Sequence, residues 1–222
     1  MTGNKLRLNL GCGSIRPQGW INADSSLNAL LQRLPVLGRP MAKWFNPIAY
    51  SSHNVVYMNL NKPWIYKNHS VDIVYASHLF EHLSLKTANL FLNESFRVLK
   101  SGGVIRLVVP DLYKICRRYL MEYEDPGVVD PTVYILWAMN LHKEAQYPNE
   151  NWLSGMVNRF RGYPHQHKFM YDSKSLSLRL LDAGFIDVSV TQYGVSKFIP
   201  EINDVEGTSE SYLSAYIEAV KP

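Results

Sequence analysis

Two pairs of histidines have the residue types and spacing that proton transfer requires. His78 and His82 lie four residues apart just after a predicted strand, with Glu81 between them, and His165 and His167 flank a single residue further along the chain. An imidazole within hydrogen-bond reach of a substrate hydroxyl can remove its proton as a general base. We therefore predict that these histidines include a base or a substrate contact. The alternatives are a helix-capping or supporting role for the first pair and a surface position for the second.

Metal binding is a further possibility for the first pair. Two histidines four residues apart on one helical face can ligate a metal, but Zn²⁺ needs further ligands. The sequence has no His-Glu-x-x-His pattern. Cys12 and Cys116 also lack metal-ligand spacing, and two cysteines are too few for a disulfide framework. The sequence alone predicts no metal site.

Asp111 is the remaining candidate for catalysis, because it follows Pro110 at the end of another predicted strand. Its carboxylate could orient a histidine or bind a substrate hydroxyl. It could equally cap the helix predicted to start at Leu112, since aspartate is favoured at the N-cap. Both interpretations stay open.

A glycine turn near the amino terminus predicts a ligand site. Residues 6–14 read Leu-Arg-Leu-Asn-Leu-Gly-Cys-Gly-Ser, a buried strand that runs into a tight loop. Glycine permits positive φ and lets a ligand approach the backbone closely. In an open parallel sheet this loop lies in the crevice where ligands bind. An ordinary turn is the alternative. Cys12 is interpreted as a small packing residue rather than a nucleophile.

Alternating strands and helices must position these groups. Apolar runs predict strands over residues 6–10, 20–24, 54–60, 71–76, 104–109, 185–192 and 211–220, and helical spacing predicts helices over 27–34, 85–99, 112–123, 132–145 and 173–183. This alternation is typical of an α/β, Rossmann-like doubly wound sheet, mostly parallel and of about seven strands. The last two strands are expected to pair antiparallel as a C-terminal hairpin. Only about six residues follow Ser14 before the second strand, whereas a helical crossover needs roughly 10–12, so the first helix should shrink to a turn or two.

The helix over 85–99 has the clearest pattern. Leu85, Ala88, Leu92, Phe96 and Leu99 mark its buried face, and Gly102-Gly103 follows its end. We predict one domain over 1–222, with residues 112–171 inserted as a cap above the carboxyl edge of the sheet.

Composition limits the function classes. The chain has 222 residues, 46% of them apolar, and a formal net charge of +4, which is well short of a dedicated nucleic-acid binder. No apolar run approaches the roughly 18 residues of a membrane span, and strand-like sequence by Leu6 argues against a signal peptide. We expect a cytoplasmic protein.

Several motifs together resemble one enzyme family. They are Asn9-Leu-Gly-Cys-Gly13, Asp24, Val71-Asp-Ile-Val-Tyr-Ala-Ser-His-Leu-Phe-Glu-His82, Arg97-Val-Leu-Lys-Ser-Gly-Gly103 and the final pair of strands. In this combination they resemble class I S-adenosylmethionine-dependent methyltransferases, most of all the small bacterial type-11-like group. The resemblance covers about residues 6–111 and 173–220, and leaves the middle insertion unexplained.

The resemblance implies S-adenosylmethionine as cofactor and assigns residues to it. The turn at Asn9, Gly11, Cys12 and Gly13 would cradle its methionine end, and Asp24 would accept hydrogen bonds from the ribose hydroxyls. Asn59 and Leu60 would contact the adenine. Ser77 and His78 would lie beside the methionine moiety and the sulfonium.

Three departures from the family pattern stand out. Asn9 occupies a position that is often acidic, Ile15 replaces a third glycine, and Asp24 comes 13 positions after Gly11 rather than roughly 20. These departures argue more strongly against a nicotinamide oxidoreductase than against a methyltransferase. They also motivate the alternative of a non-catalytic cofactor-binding or scaffold protein on the same fold.

The sequence thus predicts methyl transfer, with oxygen as the preferred acceptor atom. The acceptor is expected to be small or carrier-linked, a saccharide or metabolite. No nucleic-acid partner is expected, although RNA or protein methylation remains an alternative. Exposed aromatic residues and the terminal strands could support a homodimer.

Overall fold

Within the described residues, seven strands form one sheet in the order β3-β2-β1-β4-β5-β7-β6. The computed structural model describes residues 5–25, 29, 55–139, 166–206 and 213–222. The strands are β1 (Arg7–Leu10), β2 (Ile21–Asp24), β3 (Val55–Tyr57), β4 (Val71–Ser77), β5 (Leu99–Pro110), β6 (Ile186–Thr191) and β7 (Ser214–Val220). Strands β1 to β5 are parallel to their neighbours, whereas β7 runs antiparallel to both β5 and β6. The mostly parallel, Rossmann-like sheet with an antiparallel terminal pair is confirmed.

The described helices are α1 (Leu85–Val98), α2 (Leu112–Glu124), α3 (Thr132–Ala138), α4 (Ser173–Asp182) and α5 (Ile202–Glu206), with a 3-10 turn at Phe80–His82. Turns alone connect β1 to β2, as the short spacing predicts. Of the predicted helix 27–34, only Ala29 lies within the described residues. Helix α3 covers the first half of the predicted helix 132–145, whose end lies outside them. None of the described helices has the length and apolar character needed to cross a membrane.

Both faces of the central strands are buried, which is the usual environment of parallel strands. Alternate residues of β4 separate into two cores. Val74 and Ala76 face the core beneath α1 and α4, and Ile73 and Tyr75 face a second core with Tyr216. Helix α1 is capped by Ser84, whose hydroxyl accepts from the Thr87 N–H.

Three predicted element details were wrong. Leu85, assigned to the buried face of α1, is 45% exposed, and Phe91 is buried there instead. Strand β5 begins at Leu99 and continues through Gly102-Gly103, because Leu99 pairs with Val71 before a register shift. The third strand covers only residues 55–57 of the predicted 54–60. The terminal strands β6 and β7 pair antiparallel as predicted, and α5 lies in the connection between them.

The ion pair between Glu94 and Arg97 ties α1 to the loop before β4. The Arg97 guanidinium donates to Glu94 at 2.7 Å, to the Trp64 carbonyl at 3.1 Å and to the Tyr66 carbonyl at 2.9 Å. The Glu94 carboxylate also accepts from the Trp64 N–H at 2.6 Å. Arg97, part of the tract that carries the family resemblance, therefore has a structural role here.

Arg106 lies in the middle of β5 and is fully buried. Its guanidinium donates to Glu206 at 2.7 Å and to Glu218 at 3.1 Å. The second Glu206 oxygen accepts from the Gly194 N–H at 2.7 Å, and Glu218 also accepts from Ser196 and from the Lys197 N–H, each at 2.6 Å. This network joins β5, β7 and the segment that carries α5.

Because β1 to β5 are parallel, their carboxyl ends and the start of the antiparallel β7 lie at one edge of the sheet. Gly11, Asp24, His78, Asp111 and Ser214 all follow or begin strands at that edge. The sheet therefore positions the candidate residues on a common rim.

Candidate functional site

The glycine turn after β1 has the backbone conformation that its sequence predicts. Gly11 and Gly13 have φ of +68° and +49°. The Gly11 N–H donates to the Ala23 carbonyl at 2.8 Å, so the turn is fixed against β2. A Cβ on Gly11 would stand 3.0 Å from the Leu79 Cβ, whereas one on Gly13 would meet open space. The first glycine is thus required by packing as well as by conformation.

Two adjoining cavities extend from this turn along the carboxyl edge. The smaller, of about 50 Å³, is lined in part by Gly11, Asp24 and Leu60. The larger, of about 280 Å³, continues to Asn59 and His82. Both are lined by Ser25, Leu60 and Leu79. The cavities therefore form one crevice beneath the predicted cofactor residues.

Asp24 lies at the end of β2, and its carboxylate accepts from the Gly13 N–H at 3.3 Å. The positive-φ Gly11, the Asp24 carboxylate and the apolar Leu60 border the same crevice. That combination fits a nucleoside cofactor of the implied type, because the backbone can approach it closely and a carboxylate can accept from ribose hydroxyls.

Asn9 and Cys12 face the protein rather than the crevice. The Asn9 amide donates to the Ile15 carbonyl and to Asn22, each at 2.9 Å, and its side chain is 2% exposed. Burial, with a smaller contribution from Asp24, raises the pKa of the Cys12 thiol to about 11. A thiol with so high a pKa is a poor nucleophile at neutral pH. In this geometry Asn9 holds the turn in place, while its cofactor contact stays a prediction.

His78 follows β4 and Ser77 in an unusual backbone conformation, with φ of +49°. Its Nδ1 lies 3.3 Å from Glu81 Oε1, and its Nε2 lies 3.2 Å from the Ser214 hydroxyl. The imidazole is 45% exposed, whereas the Glu81 side chain is 1% exposed. A carboxylate beside Nδ1 favours the proton on that nitrogen and leaves Nε2 able to accept one. Positive φ outside glycine is a strained conformation that often marks functional positions.

Glu81 also faces the second predicted pair. His82 Nε2 lies 3.9 Å from Glu81 Oε1, and one ligand atom from each of Glu81, His82 and His167 lies within 4.8 Å of the others. The Glu81 carbonyl accepts from the N–H groups of Lys168 and Phe169, at 2.8 and 3.2 Å. These backbone bonds bring the segment of His167 against the 3-10 turn. Burial lowers the pKa of His167 below its ordinary value, which favours a neutral imidazole.

Asp111 takes the capping role that the sequence left open. It is 3% exposed, and its carboxylate accepts from the Tyr113 N–H at 3.1 Å at the start of α2. Burial raises the pKa of this carboxyl above its ordinary value. Asp111 also borders a cavity of about 690 Å³ between α2 and the ends of β6 and β7, together with Lys114 and Tyr216. Its catalytic role stays a prediction.

The structure brings His78, His82 and His167 together, and it adds Glu81 as the group that they share. The sequence interpretation noted Glu81 between the two histidines but gave it no role. The sequence feature that could have identified Glu81 as a site residue is a single carboxylate between two imidazoles, directly after a buried strand. His165 lies outside the described residues, as do residues 140–164 of the predicted cap.

Comparison with protein families identifies one match. A family model described as a methyltransferase domain matches residues 39–107. The matched range includes the Glu81 turn and Arg97 but begins after the glycine turn and Asp24. A comparison with curated proteins finds no match.

Among solved structures, the chain is similar to a SAM-dependent methyltransferase from Archaeoglobus fulgidus, at 16% identity and a TM-score of 0.50, over 99% of this chain and 87% of that one. It is also similar to a proposed O-methyltransferase from Nostoc punctiforme, at 9% identity and a TM-score of 0.48, over 100% and 53%. The carbon methyltransferase CurJ gives 12% identity and a TM-score of 0.46, over 100% and 50%. The chain spans about half the length of CurJ and of the carbon methyltransferase DszA. At these identities the likeness concerns the fold.

Proposed function

We propose that this chain, whose residues 39–107 match a methyltransferase domain, binds S-adenosylmethionine and methylates an oxygen atom of a small or carrier-linked acceptor, a saccharide or metabolite. The observation that carries the proposal is the half-exposed imidazole of His78 against the buried carboxylate of Glu81. An amine is nucleophilic once it is neutral, whereas a hydroxyl gains most from a base that removes its proton as it reacts.

The proposed cofactor contacts are residues that line the crevice, together with Gly13 of the adjoining turn. Gly11 and Gly13 would hold the methionine end by their backbone, Asp24 the ribose, and Asn59 and Leu60 the adenine. Bound S-adenosylmethionine supplies the methyl group from its sulfonium and leaves as S-adenosylhomocysteine.

The proposed chemistry of the chain concerns one proton. The negative charge of Glu81, 3.3 Å from Nδ1 of His78, would favour the tautomer with the proton on Nδ1, so that Nε2 can act as an acceptor. In the protein without acceptor, Nε2 contacts the Ser214 hydroxyl at 3.2 Å. We propose that the acceptor hydroxyl takes over this contact and that its proton passes to Nε2 while its oxygen forms the bond to the methyl carbon. Alignment of the reacting atoms supplies the rest of the acceleration, because a sulfonium is a good leaving group.

A small acceptor fits the modest charge of the chain. The net charge of +4 gives little of the phosphate attraction that dominates nucleic-acid binding.

The first test is a calorimetric titration of the full chain with S-adenosylmethionine, S-adenosylhomocysteine and NAD. We expect binding of the first two alone, and at least about tenfold weaker binding by Asp24→Ala, since about 1.4 kcal/mol corresponds to tenfold. Asp182→Asn, which changes an exposed carboxylate at the end of α4, is the control and should bind as the parent does. Absence of binding by folded protein would favour the scaffold alternative.

The acceptor atom is tested with S-adenosylmethionine labelled with ¹³C in the methyl group. The enzyme is incubated with saccharide and metabolite fractions, and the chemical shift of the new methyl signal distinguishes O-, N- and C-methyl products. An O-methyl signal that disappears with His78→Asn is the expected result. Asparagine tolerates positive φ better than most residues, so this variant removes the base and keeps the backbone. A C- or N-methyl product would contradict the proposal.

A further inference from the structure

The turn after β4 holds a buried carboxylate that lacks a hydrogen bond. The Glu81 side chain is 1% exposed, and neither of its oxygens has a hydrogen-bond partner among the residues that the structure describes. Removing an ion from water costs several kcal/mol unless hydrogen bonds or an opposite charge compensate. A proton or a bound cation beside Glu81 would offset this cost.

Two imidazoles point their nitrogens toward this carboxylate. The Nδ1 of His82 lies 3.1 Å from the Gln166 carbonyl oxygen, which can only accept, so Nδ1 carries the proton. The lone pair of Nε2 then faces Glu81 Oε1 across 3.9 Å. His167 packs edge-on against His82, with ring centroids 4.9 Å apart, and its buried Nδ1 likewise has no hydrogen-bond partner in the described part of the chain.

We propose that Glu81, His82 and His167 bind one divalent transition-metal ion of the Zn²⁺ or Co²⁺ type, through one carboxylate oxygen and two imidazole nitrogens. Their ligand atoms lie within 4.8 Å of one another. Metal bonds of about 2.1 Å in a tetrahedral site place ligand atoms about 3.4 Å apart. The widest pair must therefore approach by about 1.4 Å, which side-chain rotation can supply. Imidazole ligands favour such ions over Mg²⁺ or Ca²⁺.

The neighbouring structure supports a bound ion. A metal-ligating histidine usually donates its other ring N–H to a carbonyl, and His82 does so to Gln166. His82 also lines the cavity of about 280 Å³, which offers a path of entry. Three protein ligands leave at least one coordination position for water or substrate, as in catalytic zinc sites.

In this proposal Glu81 would both bind the metal and lie beside the imidazole of His78. Its Oε1 contacts His78 Nδ1 at 3.3 Å and His82 Nε2 at 3.9 Å. The metal would neutralise the carboxylate, and the imidazole of His78 would remain beside a ligand of that metal. Metal binding itself is independent of the acceptor. Only the use of the ion to lower the pKa of an acceptor hydroxyl rests on the proposed function.

The test measures metal binding to the full chain without S-adenosylmethionine or acceptor. Protein treated with a chelator and dialysed is titrated with Co²⁺ and followed by visible absorption, and with Zn²⁺ by calorimetry. We expect one equivalent to bind, with the intense visible bands of a low-symmetry Co²⁺ site that Zn²⁺ then removes. Folded protein that binds neither ion would overturn the proposal and identify the cluster as a proton-mediated ion pair.

Three variants locate the site. Glu81→Gln and His167→Gln should each weaken Zn²⁺ binding at least 100-fold, since loss of even an outer partner typically costs 10–100-fold. His69→Asn, at an exposed histidine before β4, controls for adventitious surface binding and should leave the affinity unchanged. Equal affinity in the parent and His167→Gln would assign the ion elsewhere and refute the site. If Glu81→Gln does not fold, as judged by circular dichroism, His82→Gln replaces it. Since S-adenosylmethionine binding is titrated separately, failure of the metal site and failure of the methyltransferase proposal give different results.

Discussion

Glu218 and Glu81 are both buried carboxylates, with 0% and 1% of their surface exposed, but their surroundings differ. Glu218 accepts from the Arg106 guanidinium, the Ser196 hydroxyl and the Lys197 N–H. Glu81 has imidazoles beside it and accepts no side-chain hydrogen bond from the described residues. The first arrangement satisfies a buried charge permanently. The second leaves the carboxylate of Glu81 available to a proton or a cation, as a functional site requires.

The satisfied site should be the one on which stability depends. We predict that Arg106→Met lowers the free energy of unfolding by about 3–5 kcal/mol, because it leaves Glu206 and Glu218 buried without their counter-ion. Denaturant unfolding followed by circular dichroism measures the change. If Arg106→Met unfolds at nearly the same denaturant concentration as the parent, the stability of the fold does not depend on this network.

The unsatisfied site should behave in the opposite way. With a chelator present, Glu81→Gln is expected to change the free energy of unfolding by less than about 1 kcal/mol, since glutamine keeps the shape and removes an uncompensated charge. Methyl transfer should fall by about 100-fold or more, the usual contribution of a positioned base. The measurement pairs unfolding curves with initial rates of S-adenosylhomocysteine formation.

A matched variant sharpens that result. Glu218→Gln changes a carboxylate of the same burial within the Arg106 network, so it should lower stability while the activity of the folded fraction is retained. If Glu81→Gln and Glu218→Gln lost equal stability, both carboxylates would stabilise the fold, and the contrast between the two sites would be wrong.

The turn that carries Glu81 depends on the glycine turn through Leu79. We predict that Gly11→Ala lowers the free energy of unfolding by about 2 kcal/mol, because it adds a Cβ at 3.0 Å from Leu79 to the strain of positive φ. Gly13→Ala, with positive φ but open space, should cost about 1 kcal/mol. Thermal and denaturant unfolding of the two variants give the difference in stability that is due to the Leu79 contact. Equal losses of unfolding free energy would show that this contact does not contribute.

The sequence predicts the sheet well because its signals are local. The apolar run of β4 and the Gly11-Cys12-Gly13 turn each specify their own conformation. Local signals also explain the errors. Gly102-Gly103 is a typical helix stop, but pairing of Leu99 with Val71 extends β5 through it.

The contacts of the candidate site could be predicted only in part. His82 and His167 are more than eighty residues apart in the chain, so no spacing rule joins them. Their approach depends on backbone bonds from residues 168 and 169 to Glu81. Arg106 is a similar case, because its partner Glu206 lies 100 residues away and the strand around it is otherwise apolar.

A third carboxylate, Glu94, tests whether the distinction between satisfied and unsatisfied sites extends to an ion pair whose arginine is partly exposed. The Arg97 guanidinium and, to a lesser degree, the Trp64 N–H lower the pKa of Glu94 against the opposing effect of burial. A lowered folded-state pKa stabilises the fold above the unfolded-state pKa of about 4.3, and this stabilisation is lost as the pH falls through the folded-state value. At pH 7, Glu94→Gln should therefore cost about 1 kcal/mol, a value reduced by the partial exposure of Arg97. Below pH 4 the difference from the parent should shrink toward zero. Urea unfolding at several pH values measures this trend, with the exposed Asp182→Asn as the control. A Glu94→Gln difference that does not vary with pH would show that the pair contributes through packing instead of charge.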